Sequence, residues 1–194
     1  MLEELFKKNK CDKLDHYYFE EYEKTLEPLK DKPINILEIG IWMGTSHKTW
    51  HQYLPNAQIY GIDIFSRMKP DDVPILSEER VHWARADSTE IKVEWTDVKF
   101  DIIIDDGKHT PEANAKTFYN FIDQLKPDGI YYIEDVWNLE ENINHSWLKQ
   151  HPKDYSKEKW NYFLDALNGY NVETIDFRKK SGKPDSFMYK VTNK

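Results

Sequence analysis

Two acidic pairs carry the chemistry that can be read in this chain: Asp105-Asp106, followed by Gly107-Lys108-His109, and Glu134-Asp135. Each closes an apolar run, Phe100 with Ile102, Ile103 and Ile104 before the first, and Ile130, Tyr131, Tyr132 and Ile133 before the second. Short runs rich in β-branched and aromatic residues are the pattern of strands buried in a parallel sheet. Acids at the C-terminal ends of such strands stand where open α/β sheets bind ligands. Carboxylate oxygens converging there make a site for a hard cation, and the imidazole of His109 adds a general base beside it. Asp105-Asp106-Gly107 alone is equally a turn sequence. The second acidic pair, ending a neighbouring strand, turns the reading toward chemistry.

The elements that must position these groups alternate along the chain. Tyr18, Tyr22, Leu26 and Leu29 recur at helical spacing and predict a helix over 15–29. Strands are expected over 34–39, 58–64 (ending on Asp63) and 81–86 (ending before Asp87). A helix starts at Gly44-Thr45-Ser46 and runs through Trp50 and Tyr53, and another runs from Pro111 to Leu125. A helix over 157–167 precedes a sixth strand, 172–177, and Phe187 to Val191 returns as a hairpin strand after Ser181-Gly182-Lys183-Pro184. This alternation predicts an α/β fold with a doubly wound, mostly parallel sheet. The expected organisation is a single domain, 1–194, with an N-terminal helical segment over 1–32. The polar stretch 136–157, holding Trp137, His145 and Trp147, is expected to be a lid loop. The linker 66–77, with Pro70 and Pro74, is expected to edge the site.

Glu38-Ile39-Gly40-Ile41-Trp42-Met43-Gly44 falls on the first strand-to-helix turn, where glycines let the backbone approach a ligand. Its spacing is neither GxGxxG nor a P-loop. Asp63 is placed to accept hydrogen bonds from both ribose hydroxyls, and Asp87 from an adenine amino group.

Leu37-Glu38-Ile39-Gly40, Gly61-Ile62-Asp63, Asp87 and Ile104-Asp105-Asp106-Gly107 resemble the successive motifs of class I S-adenosylmethionine-dependent methyltransferases, a Rossmann-like fold. Within that class the closer resemblance is to the metal-dependent sugar O-methyltransferases of macrolide tailoring, the mycinamicin and macrocin type, and to the related cephalosporin hydroxylase-like proteins. The resemblance covers nearly the whole chain and includes Asp12-Lys13, His16, Tyr18 and Tyr22, which look like that group's N-terminal signature. It implies an S-adenosylmethionine site formed by Glu38, Gly40, Gly44, Thr45, Ser46, Asp63, Asp87, Ser88 and Asp105, with His16 and Tyr22 contributed by a segment folded over the cofactor. It also implies Asp106, Glu134 and Asp135 as ligands of Mg²⁺, with Mn²⁺ as a substitute, and His109 as the catalytic base. Two departures stand out: Lys108 where relatives usually carry Ser, and a short chain without the extra N-terminal domain of the macrolide enzymes. The resemblance therefore leaves the acceptor open, and it leaves room for a homo-oligomer.

The implied reaction is methylation of a sugar or glycoconjugate hydroxyl, with the ion lowering the hydroxyl's pKa and His109 removing its proton. Carboxylate ligation favours Mg²⁺, Mn²⁺ or Ca²⁺ over zinc. Trp137 and Trp147 offer flat faces either to a sugar ring or to the core. Two rivals are a methyltransferase of catechol-like small molecules and a hydroxylase built on an iron facial triad. At 194 residues and a formal net charge of −8, the chain carries no footprint for nucleic acid or an anionic membrane. Its one cysteine, Cys11, excludes an intrachain disulfide and a multi-thiolate metal site. Its first residues lack a signal-peptide core, and no run is long and apolar enough for a bilayer, so a cytoplasmic small-molecule or glycan enzyme is expected.

Overall fold

The computed structural model describes residues 1–93, 95 and 97–194. One seven-stranded sheet organises them. Its strands are β1 (Asn35–Ile39), β2 (Gln58–Asp63), β3 (Val81–Arg85), β4 (Phe100–Asp105), β5 (Leu125–Ile133), β6 (Asn171–Asp176) and β7 (Phe187–Thr192). The spatial order is β3-β2-β1-β4-β5-β7-β6. β1 to β5 pair in parallel, while β7 runs antiparallel between β5 and β6. The direction of winding reverses between β1 and β4, so their C-terminal ends frame the crevice in which such sheets hold ligands. This is the Rossmann-like class I architecture expected from the sequence.

The helices are α1 (Leu2–Asn9), α2 (Phe19–Leu26), α3 (Thr45–Tyr53), α4 (Pro111–Phe121), α5 (Leu139–Asn142), α6 (Ser146–Gln150), α7 (Lys157–Leu167) and α8 (Arg178–Ser181). Two apolar layers sandwich the sheet. One joins Leu37, Ile103 and Tyr131 to Phe118 of α4 and Phe163 of α7. The other joins Ile36, Ile102 and Ile104 to Phe6 of α1, Tyr22 of α2 and Trp50 of α3. Alternate residues of each strand feed opposite layers, which is why β1 and β4 read as continuous apolar runs.

Local chemistry starts the helices that flank the site. Pro111 stands at the first position of α4, and Thr110 caps it by accepting from the Ala113 amide at 3.4 Å. Ser156 caps α7 by accepting from the Lys159 amide at 3.3 Å, and Trp160, Phe163 and Leu167 form its buried stripe.

Three expectations are corrected. The helix foreseen over 15–29 is divided: α2 holds Phe19–Leu26, a 3₁₀ turn precedes it at Asp12–Leu14, and another follows at Glu27–Leu29. Tyr17 at φ 62° breaks the run, because a left-handed residue cannot continue a right-handed helix. β5 begins at Leu125, not Ile130, despite Pro127-Asp128-Gly129, which read locally as a turn; a register shift between Phe100 and Ile102 accommodates it. The stretch 136–157 is no bare loop: it carries α5 and α6, and it buries Val136, Trp137, Leu139, Leu148 and Tyr155. Among the described residues, no helix is long and apolar enough to cross a membrane.

Candidate active site at the sheet crevice

The turn from β1 into α3 is built on two glycines. Gly40 has φ +99°, and a Cβ there would lie 2.1 Å from the Asp106 carbonyl oxygen, so this glycine lets the ends of β1 and β4 meet. Gly44, at φ +70°, precedes α3, and a Cβ would strike Ile75 and Val73 of the 66–77 linker at 2.5 and 2.7 Å. Asp63 ties the turn down from β2: Oδ2 accepts from the Ile41 and Trp42 amides at 2.9 Å each, and Oδ1 accepts from the Phe65 amide at 2.5 Å. Asp87 accepts from the Thr89 amide and hydroxyl, which hold its carboxyl below the usual range.

A cavity of about 560 Å³ runs along this turn. Gly40, Thr45, Ser46, Asp63, Asp87 and Ser88 face it, and Ser66, Arg67 and Met68 of the linker edge it. Asp106, His109 and Asp135 line the same cavity. The volume is that of a pocket for a nucleoside-sized molecule.

Glu38 lies behind this wall and is fully buried. It accepts from Ser46 Oγ at 2.8 Å and from Trp50 Nε1 at 2.9 Å, His47 Nδ1 stands 3.1 Å away, and Lys13 Nζ is 3.2 Å from its other oxygen. Burial alone would raise its pKa, but Lys13 and His47 draw it down to about 2.

The β4–α4 turn and the end of β5 supply the second half. Asp105 is buried; among the described residues Oδ1 accepts a long bond from the Gly107 amide at 3.3 Å, and Oδ2 has no hydrogen-bond partner. Burial pushes this carboxyl up to about 7. Asp106 is raised to about 6 by removal from water, against the pull of Lys13 and His109. His109 Nε2 lies 3.5 Å from Asp106 Oδ1. Burial disfavours the imidazolium, but the Asp135 and Asp106 carboxylates outweigh it and hold the pKa above the ordinary value. His109 and Asp135 both have left-handed backbones, φ 55° and 52°, strain of the sort that collects at functional sites. Tyr155 OH donates to the His109 carbonyl at 3.0 Å and so anchors the turn from the 136–157 segment.

One ligand atom each from Asp106, His109 and Asp135 lie within 4.8 Å of one another, a donor set of two carboxylates and an imidazole suited to a divalent cation. Asp135 is held from the N-terminal side, where Tyr18 OH donates to Oδ1 at 2.7 Å and His16 Nδ1 stands 3.2 Å away. Glu134 points elsewhere: one oxygen accepts from Tyr22 OH and the other pairs with Lys13. His16 and Tyr22 thus touch the acids and are not among the residues that line the cavity.

Several participants carry no local signal in sequence. Lys13 enters as part of a motif, but its partners are 93 and 121 residues away. Tyr155, 46 residues from His109, and His47, beneath Glu38, are of the same kind. Trp137 and Trp147 stack face to face, 4.8 Å apart at 17°, with Trp137 packed into the core.

A family of proteins described as a methyltransferase domain matches residues 37–136, just over half the chain, and the chain belongs to that family. Among curated relatives, it is 28% identical over 135 residues to mycinamicin VI 2''-O-methyltransferase of Micromonospora griseorubida, covering 63% of this chain and 32% of that one. It is 33% identical over 132 residues to L-olivosyl-oleandolide 3-O-methyltransferase of Streptomyces antibioticus, covering 63% and 33%. The chain thus spans about a third of the length of these relatives. Its fold is that of the MycE methyltransferase of the mycinamycin biosynthetic pathway, solved in complex with Mg, SAH and mycinamycin VI: TM-score 0.71, 23% identity, 98% of this chain and 54% of that one.

Proposed function

We propose that this chain is an S-adenosylmethionine- and divalent-metal-dependent O-methyltransferase acting on a hydroxyl of a sugar or glycoconjugate. One observation carries the reading: Asp106, His109 and Asp135 cluster in the lining of the same cavity that Gly40, Asp63 and Asp87 line. A methyl donor and an acceptor oxygen at a cation therefore meet in one space. The relatives that act on sugar hydroxyls, and the MycE structure holding Mg and SAH, support the assignment of acceptor class and ligands.

The donor would lie on the Gly40–Ser46 turn, with Asp63 and Asp87 toward its ribose and base, and it supplies an electrophilic methyl group. Asp63 fits this role through rigidity, since three backbone amides fix its carboxylate at the cavity wall. Asp106 and Asp135 would hold the ion, which would supply charge that lowers the acceptor hydroxyl's pKa, and His109, although close enough to ligate, serves as the base and not as a ligand. His109 takes the hydroxyl proton at Nε2, the ring nitrogen that faces Asp106. Asp135 and Asp106 tend to keep that imidazole protonated, so it becomes a base only when their charge is countered. Tyr155, from the 136–157 segment, fixes the His109 carbonyl and so steadies the turn that carries the base. One imidazole and two carboxylates are the inverse of the two-histidine, one-carboxylate iron triad, which counts against a hydroxylase.

The test is calorimetric titration with S-adenosylhomocysteine, followed by methyl transfer from labelled S-adenosylmethionine to glycoside and catechol acceptors. Binding is expected, with transfer to the glycosides abolished by EDTA and restored by Mg²⁺ or Mn²⁺. No binding of adenosylhomocysteine would overturn the donor assignment. Full activity in chelator would overturn the metal, and exclusive use of catechols would overturn the acceptor class.

A further inference from the structure

Four cations, Arg178, Lys179, Lys180 and Lys183, fall within six positions between β6 and β7 of a chain whose formal net charge is −8. Arg178, Lys179 and Lys183 line a second, open cavity of about 440 Å³, together with Pro184 and with His145 of the 136–157 segment. Arg178 is a fixed donor. Asp176 holds Nε at 2.9 Å and Nη2 at 2.6 Å, Glu141 holds Nη2 at 2.5 Å, and the guanidinium lies 4.9 Å over the Phe187 ring. Its Nη1 makes no hydrogen bond among the described residues. Asp176, the acid in this lining, is neutralised by Arg178. Among the described residues, Lys179 and Lys183 have one ion pair between them, a 3.8 Å contact from Lys183 to the exposed Asp15. His145 Nδ1 accepts from the Trp147 amide at 3.2 Å, so the neutral ring carries its proton on Nε2 and can donate.

We propose that this cavity is a second binding site, for a phosphate or carboxylate group that the acceptor carries beyond the hydroxyl to be methylated. The inference rests on the reading of this chain as an enzyme of sugar or glycoconjugate hydroxyls, and it adds that the acceptor is anionic. The chemistry is that of oxyanion recognition. A guanidinium locked by carboxylates offers its remaining N–H groups with little ordering left to do, and two ammonium groups add charge. A merely solvated loop would leave Arg178 to water; here three hydrogen bonds and a ring face fix it, and its side chain is 17% exposed. Position ties the site to the reaction. β5 and β6 are both antiparallel to β7 and so run in the same sense, and Asp176 leaves the sheet at the same end as Glu134 and Asp135. The Val136 amide donates to the Phe187 carbonyl at 2.9 Å, and the Trp137 ring lies 4.9 Å from that of His145. Trp137, two residues after Asp135 of the first cavity, thus packs against a wall of the second.

The test is calorimetric titration of the whole chain with glucose 6-phosphate and with glucuronate, in EDTA so that no divalent ion recruits the anion. Binding is expected, and the tighter probe identifies the group. The double variant Lys179→Met/Lys183→Met should weaken that binding at least about tenfold, the loss of one charge-assisted contact, with adenosylhomocysteine affinity unchanged. Lys180→Met should change neither, because Lys180 pairs with Glu20 and is not in the lining. In turnover, a glycoside bearing the tighter group on a second sugar should have a KM about tenfold below that of its neutral counterpart. The double variant should erase this difference with kcat held. No binding of either probe by wild type, or equal binding by the double variant, would overturn the site. Binding without a KM difference would overturn its assignment to the acceptor. Both results leave the methyltransferase reading intact. Absence of transfer to every glycoside would overturn that reading, while the binding titration still decides the site.

Discussion

Glu38 and Asp105 are buried carboxylates on adjacent strands, β1 and β4, one residue apart in register, and their affinities for a proton move in opposite directions. Glu38 meets a serine hydroxyl, an indole N–H, a histidine and a lysine, and falls to about 2. Asp105 meets one distant amide and rises to about 7. Burial is common to both; the partners differ. The β1 side of the crevice spends its carboxylates on holding the protein together, Asp63 on three amides and Glu38 on three side chains of α3 and Lys13. The β4–β5 side leaves Asp105 and the His109 ring undersatisfied, with His109 and Asp135 on strained backbone. The second condition is the one from which proton chemistry starts.

The largest effect that would sharpen this contrast is on turnover. His109→Ala should lower kcat for methyl transfer by roughly 10²–10⁴ while leaving adenosylhomocysteine affinity nearly unchanged. A variant retaining more than about a tenth of wild-type kcat, with chemistry rate-limiting, would remove the general-base role.

Stability against pH tests the two acids directly. Glu38 has a folded pKa of about 2, depressed from 4.5, so its contribution is present above about pH 4.5 and is lost as pH falls toward 2. Glu38→Gln should cost about 3 kcal/mol in urea unfolding at pH 7, and the cost should shrink on acidification through that window. Asp105 carries the opposite sign: raised from 3.8 to about 7, it subtracts stability progressively as pH climbs through that interval. Asp105→Asn should therefore stabilise the fold at pH 8 and not at pH 4. The gain should be smaller than the Glu38 loss, since the new amide brings donors that need partners. Two variants with the same sign at pH 8 would break the comparison.

The smallest effect expected is at Tyr155. Tyr155→Phe removes one neutral hydrogen bond to the His109 carbonyl, about 0.5–1.5 kcal/mol, and should lower kcat several-fold with Mn²⁺ affinity little changed.

What could be read in advance follows from range. Strands ending on Asp63 and Asp105 announced themselves because the short apolar runs 59–62 and 102–104, each closed by an aspartate, read as strand or buried helix. The Gly40–Gly44 turn was legible for the same reason. The apolar run that marks β5 begins only at Ile130, because Lys126-Pro127-Asp128-Gly129 are poor strand formers that the tertiary pairing of Phe100 with Leu125 overrides. α5 and α6 span four and five residues, too short for any period to show. The candidate acids were visible as strand ends, but their partners were not. Nothing near Lys13 foretells Asp106 or Glu134, and only the fold brings Tyr155 to His109.

The placement of β7 has a kinetic consequence. It follows β6 in the chain yet lies between β5 and β6, pairing with Tyr131–Ile133 on one side and Asn171–Asp176 on the other. Until residues 187–192 have left the ribosome, β5 presents an open edge and β6 has nothing to join. The N-terminal segment is in the same position, since His16 Nδ1 stands 3.0 Å from Ser186 Oγ and Lys190 pairs with Glu21 at 2.7 Å. Contacts spanning some 170 residues make this a topology of high contact order, slow to close. During synthesis the exposed edge of β5, flanked by Tyr131, Tyr132 and Ile133, is the segment most open to pairing with another chain, and slowing translation before residue 187 should raise the aggregated fraction.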